Sequence, residues 1–351
     1  MNIHSRFPTV WKLVTKYSDA ALAAVFLCAL ALSWLAWLYP ALELWVMVVV
    51  FIVAFFATMT NLHWGLLLVL AEILVGSLGH GFVITVWGRD LPVRILLFAT
   101  VTASGALWAA RHKSVVQAKA LLIGALGREF LWVPVWASVA VYGVIRGVAL
   151  KQDPHRLFDD ANQWLFLLIP VLMVLVIRHP HIKQSLSRVV RSSMVAVSLL
   201  TLIILYIFTH DGVFQISLAV YRWARDTRMS EITLLSVSFA RLFLQSQLFL
   251  LIAWVALLQQ ITQHRNYFSK DFVLLSVFTS ALVMSLSRSF WVAMIVGVGM
   301  LMLYYVPSKQ YRSIGRGIGV GIGATLAAGA IILLVAYFPI PHPGAFSVSG
   351  A

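Results

Sequence analysis

One charged side chain stands near the middle of an apolar run that is too long for one membrane helix and just long enough for two. Between Asp271 and Lys309 lie 37 residues, and Arg288 is the only charged one among them. A single helix of that length would rise about 55 Å against a hydrocarbon layer of about 30 Å, whereas two helices of about 18 residues each just span it. The run therefore folds as a helical hairpin with Ser285-Leu286-Ser287-Arg288-Ser289 at its apex. Basic residues flank it on both sides, Arg265 and Lys270 before and Lys309, Arg312 and Arg316 after. Those ends belong on the cytoplasmic side, so the apex belongs on the opposite one.

The rest of the chain agrees with a membrane setting. Of 351 residues 61% are hydrophobic, and mean hydropathy is +0.93, outside the range of soluble domains. The runs are too long and too continuously apolar for the alternation of a membrane β-barrel, which leaves an all-α, polytopic helical bundle. A net charge of +14 invites a nucleic-acid reading. That reading is declined, because the basic residues sit at the ends of spans, as orientation and lipid headgroups require, and form no patch. The single cysteine, Cys28, lies in the first apolar run, excludes an intrachain disulfide and is expected as a small core residue.

Eleven spans are expected, at approximately 20–39, 43–60, 64–79, 93–110, 131–149, 162–178, 192–209, 242–262, 271–286, 289–306 and 316–338. The stretch from His80 to Pro92 is expected to dip into the interface. Residues 1–19 form a cytoplasmic segment, 20–338 the transmembrane domain with an outer segment at about 210–241, and 339–351 a short outer stub. The first span reads as an uncleaved anchor. A cytoplasmic N-terminus places about 16 of the 26 Lys and Arg residues inside and about nine outside, which favours N-in and C-out.

The outer arginines exceed what orientation needs. Segment 210–241 carries Arg222, Arg225, Arg228 and Arg241. Residues 219–228 suit an interfacial helix, on which arginines three apart share one face and Tyr221 and Trp223 anchor at headgroup depth. For Arg222, Arg225 and Arg228 the favoured reading is snorkelling to headgroups or pairing with Asp226 or Glu231. Arg241 and Arg288 each stand where an outer loop meets the start of a span, and the guanidinium fork matches phosphate oxygens. With Ser287 in the tight turn, and with Arg222, Arg225 and Arg228 nearby in sequence as further diphosphate or glycan contacts in the other reading of those three, they make a candidate diphosphate site.

Other polar residues carry two readings each. Glu72, within the third span, is a functional carboxylate or a hydrogen-bonded packing residue. Gln245, Ser246 and Gln247, one turn beyond Arg241, contact a sugar or bridge helices, the second being favoured. His80, His155, His210 and His342 fall outside, where any one could act as a general base. Histidine and cysteine spacing provides no metal site. The glycines from Gly315 to Gly329 lie in a span without a Lys-Ser/Thr ending, so they read as helix-packing glycines and not as a nucleotide loop.

At Ser285-Leu286-Ser287-Arg288-Ser289-Phe290-Trp291-Val292 the chain resembles the O-antigen ligase and polymerase superfamily, polytopic proteins of the bacterial inner membrane. Arg241 before the eighth expected span is similar to that family's other arginine, and Asp90-Leu91-Pro92-Val93-Arg94 is a further shared feature. Leu242-Phe243-Leu244-Gln245 stands where family members carry prolines and an asparagine. The family's large outer loop with its histidine, and its last spans, are expected to be lacking. The resemblance implies glycosyl transfer from an undecaprenyl-diphosphate-linked glycan to a glycan or lipid acceptor at the outer face of the inner membrane. It implies no cofactor or metal, with membrane lipids as surroundings and no nucleic acid as partner. Arg288 and Arg241 would bind the diphosphate and stabilise it as a leaving group. Alternatives are an O-antigen polymerase, a transporter of lipid-linked glycan or a small solute, and a non-catalytic scaffold of envelope assembly.

Overall fold

The structure is a computed structural model. It describes residues 19–76, 81–86, 89–111, 132–153, 156–157, 164, 169, 173, 182–211, 215–236, 239–263, 268–307 and 311–338. His80, His155, His342, most of the sixth expected span and segment 339–351 lie outside the described residues.

The fold is predominantly helical. In chain order come α1 (Asp19–Leu38), α2 (Pro40–Thr60), α3 (Leu62–Val75), β1 (Val83–Val86), β2 (Arg89–Pro92), α4 (Val93–Arg111), α5 (Trp132–Ala149) and α6 (Ile182–Thr209). They are followed by α7 (Ser217–Asp226), β3 (Ser230–Ser236), β4 (Phe239–Leu244), α8 (Gln247–Gln263), α9 (Phe268–Met284), α10 (Arg288–Tyr305) and α11 (Tyr311–Tyr337). Five of these, α1, α2, α6, α10 and α11, are long and apolar enough to cross a membrane, and α3, α4, α5 and α8 contain shorter apolar helices. The expected hairpin is present as α9 and α10, joined by the three residues Ser285 to Ser287.

Before α4, Val83–Val86 and Arg89–Pro92 form strands, with Thr85 Oγ1 donating to Asp90 Oδ1 at 2.8 Å. Two expectations are corrected here. The eighth expected span begins at Gln247 instead of 242, because Phe239–Leu244 pairs with β3. Cys28 is also exposed on α1 and is not a core residue.

The chain divides into two compact units. One comprises Met1–Leu44, Ala71–Ile84 and Arg188–Ala351, the other Trp45–Leu70 and Thr85–Ser187. Within the second unit, Gly65 permits a close approach of helices: a Cβ there would fall 2.1 Å from Thr58 Oγ1 and 3.1 Å from Val101 Cγ1.

The first unit holds all the candidate site arginines. Its core joins α1, α6, α7, the β3–β4 ribbon, α9 and α11 through Leu30, Phe208, Trp223, Leu242, Met284 and Ile332. Trp254 Nε1 of α8 donates to Thr279 Oγ1 of α9 at 2.9 Å, which ties these antiparallel neighbours at mid-length. Along α11, Gly317 and Gly323 lie against Thr262 and Phe272, whereas Gly315, Gly319, Gly321 and Gly329 meet nothing within 4 Å. Only the first two therefore act as the packing glycines expected from sequence.

Candidate functional site

The α9–α10 turn is shaped by its own serines. Ser285 Oγ donates to the carbonyl of Leu282 at 2.6 Å and accepts from the backbone N–H of Ser287 at 3.2 Å. Leu286 N–H reaches the carbonyl of Val283 at 3.0 Å, with Leu286 at φ 47°, the left-handed position that helix ends usually give to glycine. Ser287 is the N-cap of α10, and its hydroxyl pairs with that of Ser289 at 2.7 Å. Arg288 follows as the first helical residue. It is exposed and has no hydrogen bond or ion pair among the described residues.

Arg241 comes to the same turn from a strand. The sequence places it at the start of a span; the structure places it in β4, opposite Thr233 of β3. Alternation along the ribbon turns Ala240, Leu242 and Leu244 into the core and Arg241 and Phe243 to the other face. From there Arg241 Nε donates to the carbonyl of Ser285 at 2.9 Å. That carbonyl belongs to the end of α9, where carbonyls lack intrahelical partners and a cation opposes the negative end of the helix dipole. The Arg241 guanidinium carbon also lies 5.8 Å from the centroid of the Phe243 ring. Phe243 in turn stacks on Phe290 of α10 at 5.7 Å with 18° between planes.

The bond through Nε has a consequence for chemistry. Both terminal nitrogens of Arg241, which form the edge of the fork that grips two oxygens of a carboxylate or phosphate, make no hydrogen bond among the described residues. Neither Arg241 nor Arg288 has a carboxylate partner among the described residues.

Gln247 fixes this arrangement from beneath. It is fully buried; its Nε2 donates to Leu242 O at 3.3 Å and to Ala281 O at 3.0 Å, and its Oε1 accepts from Leu244 N–H at 3.2 Å. Ala281 is one helical turn before Ser285, so Gln247 and Arg241 hold β4 to α9 at successive turns. The sequence reading of helix bridging is the right one for Gln247. Gln245 lies in the turn between β4 and α8, half-buried, and Ser246 Oγ donates to Val75 O at 3.4 Å.

The other three arginines are arranged differently. A helix is present at the expected 219–228 stretch as α7, packed on α1 through Trp37 Nε1 to Asp226 Oδ2 at 3.3 Å and Trp223 Nε1 to Ser33 Oγ at 3.3 Å, so Trp223 is buried in the core and is not the expected headgroup anchor. Arg222 and Arg225 are exposed on it, and Arg225 Nε bonds Asp226 Oδ1 at 3.1 Å. Arg228 does not share that helical face: α7 ends at Asp226, and Arg228 has φ 51° in the following turn. No side-chain bond among the described residues brings these three to the α9–α10 turn.

The remaining candidates are placed as follows. Glu72 is half-buried on α3. His210 is buried at the end of α6, its Nδ1 within 2.9 Å of both Tyr206 O and Thr209 Oγ1, and its ring lies against Tyr206 at 4.0 Å. A histidine so enclosed is a packing residue. The carboxylate that sequence reasoning overlooked is Glu231, treated there only as an ion-pair partner. It is exposed on β3 directly opposite Phe243, and the alternation Glu231-Ile232-Thr233 was the signal available for placing it.

The site is thus an exposed arginine and a half-buried one, converging on a serine-rich helical turn and backed by an aromatic pair. No family model, no curated protein and no solved structure matches the chain.

Proposed function

We propose that the protein transfers a glycan from a polyprenyl diphosphate to a glycan or lipid acceptor, an O-antigen ligase-like reaction at the outer face of the inner membrane. In this reading the chain crosses the membrane about eleven times, with the N-terminus inside, and the α9–α10 turn faces outward. The observation that carries it is the unspent terminal edge of Arg241, bonded through Nε to the same turn from which Arg288 starts α10 with no partner among the described residues. Two guanidinium groups so placed suit the adjacent phosphates of a diphosphate. As the acceptor hydroxyl oxygen bonds to the anomeric carbon, the bond from that carbon to the diphosphate oxygen breaks and its electron pair stays on the diphosphate. The arginines stabilise the charge that develops there, and the acceptor proton passes to a base.

Protein in nanodiscs is to be given undecaprenyl diphosphate bearing a fluorescent oligosaccharide, with free oligosaccharide as acceptor. The expected result is covalent transfer that falls about 100-fold or more in Arg288→Ala and in Arg241→Ala, the loss typical of removing one preorganised donor at a developing anion. Movement of the lipid-linked glycan across vesicles without covalent transfer contradicts the proposal and favours transport.

A further inference from the structure

We infer that Glu231 is the carboxylate of this site and serves as its general base, an inference that rests on the diphosphate reading above. The β3–β4 register pairs Glu231 with Phe243 and Thr233 with Arg241, so all four side chains leave the same face of the ribbon. Glu231 is therefore the diagonal neighbour of Arg241, at a spacing of about 7–8 Å between such positions. The opposite face is committed to the core through Ile232, Ala240 and Leu242, which fixes the register, because a slip of one residue would bury Glu231 and Arg241. Phe243 stacks on Phe290, two residues after Arg288, and so brings this face against the α10 end of the turn.

Glu231 is exposed and holds no hydrogen bond or ion pair among the described residues. Among the described residues no ion pair joins it to Arg241, whose Nε is held by the Ser285 carbonyl. With diphosphate on the two arginines, the carboxylate lies to one side of the leaving group. There it accepts the proton of the acceptor hydroxyl while that oxygen bonds to the anomeric carbon and the diphosphate departs with the bonding pair. The proton ends on Glu231, and charge and atoms balance without a further reactant.

A carboxylate so close to the diphosphate also repels it. Two measurements on the intact protein in nanodiscs separate the inference from its premise. Affinity for undecaprenyl diphosphate should tighten about threefold to tenfold in Glu231→Gln, as removal of one like charge at that range allows. Transfer from the fluorescent lipid-linked oligosaccharide should fall about 100-fold or more in the same variant, with Glu231→Asp intermediate. Thermal melting should be unchanged, because the side chain is exposed. Unchanged affinity in Glu231→Gln overturns the placement of the carboxylate, and undiminished transfer overturns its role as base, while wild-type binding upholds the diphosphate reading in both cases. A wild-type protein without affinity for the lipid removes the premise and the inference together.

Discussion

The bundle α8–α11 has an arginine at each of its two ends, and both arginines cap a helix carbonyl. At one end Arg241 donates through Nε to Ser285 O at 2.9 Å; at the other Arg316 donates through Nη1 to Thr262 O at 3.0 Å. The chemistry of the two contacts is the same, a cation satisfying a carbonyl that the helix cannot. What differs is the nitrogen used. Arg316 engages a terminal nitrogen and so breaks its two-pronged edge, beside a closed pair of hydroxyls, Thr262 Oγ1 and Tyr305 at 3.0 Å. Arg241 uses the inner nitrogen and leaves its terminal edge whole. Arg316 therefore reads as a latch between helices, and Arg241 as a residue that is positioned by one bond and available through two others.

That contrast can be broken by substitution. The effect on function is expected in transfer by Arg241→Lys, which keeps the charge but loses the planar fork. A fall of about tenfold or more is expected, because an ammonium cannot hold the Ser285 carbonyl and two phosphate oxygens together. Wild-type transfer in Arg241→Lys would reduce Arg241 to a point charge like any other. Next comes Gln247→Ala, which leaves the buried carbonyls of Leu242 and Ala281 and the N–H of Leu244 without their partner. It should lower stability by about 2–4 kcal/mol, read by denaturation in detergent. Arg316→Ala should cost only about 1–2 kcal/mol, with unaltered transfer per folded molecule. Smallest is Leu286→Gly, where relief of the left-handed backbone offsets the loss of a half-buried side chain. A change within about 1 kcal/mol of wild type is expected, measured in the same way.

The hairpin was legible in the sequence because it rests on length and charge alone. A run of 37 residues with Arg288 near its middle admits one solution in a bilayer, and α9 and α10 end within about three residues of the expected bounds. The helix α7 was legible from its arginines spaced three apart, but the burial of Trp223 against α1 was not. The β3–β4 ribbon was not. Ala240-Arg241-Leu242-Phe243-Leu244 runs without a break into the apolar helix α8, and an apolar run at a membrane interface reads as the start of a span. The competing sign was the alternation in Glu231-Ile232-Thr233-Leu234, which acquires meaning only when a second strand is available to pair with it. Missing the ribbon hid three things: the strand that presents Arg241, the aromatic stack of Phe243 on Phe290, and the cross-strand position of Glu231. Gln247 was seen as a helix bridge, but the sequence gives no means of learning that it bonds β4 and α9 at once.

The most direct test of the difference between the two ends is affinity for undecaprenyl diphosphate, measured on wild type, Arg241→Ala, Arg288→Ala and Arg316→Ala in nanodiscs. The account expects the wild type to bind, Arg241→Ala and Arg288→Ala each to lose about tenfold or more, and Arg316→Ala to bind as wild type does. Equal losses in Arg241→Ala and Arg316→Ala, or no binding by the wild type, would contradict it.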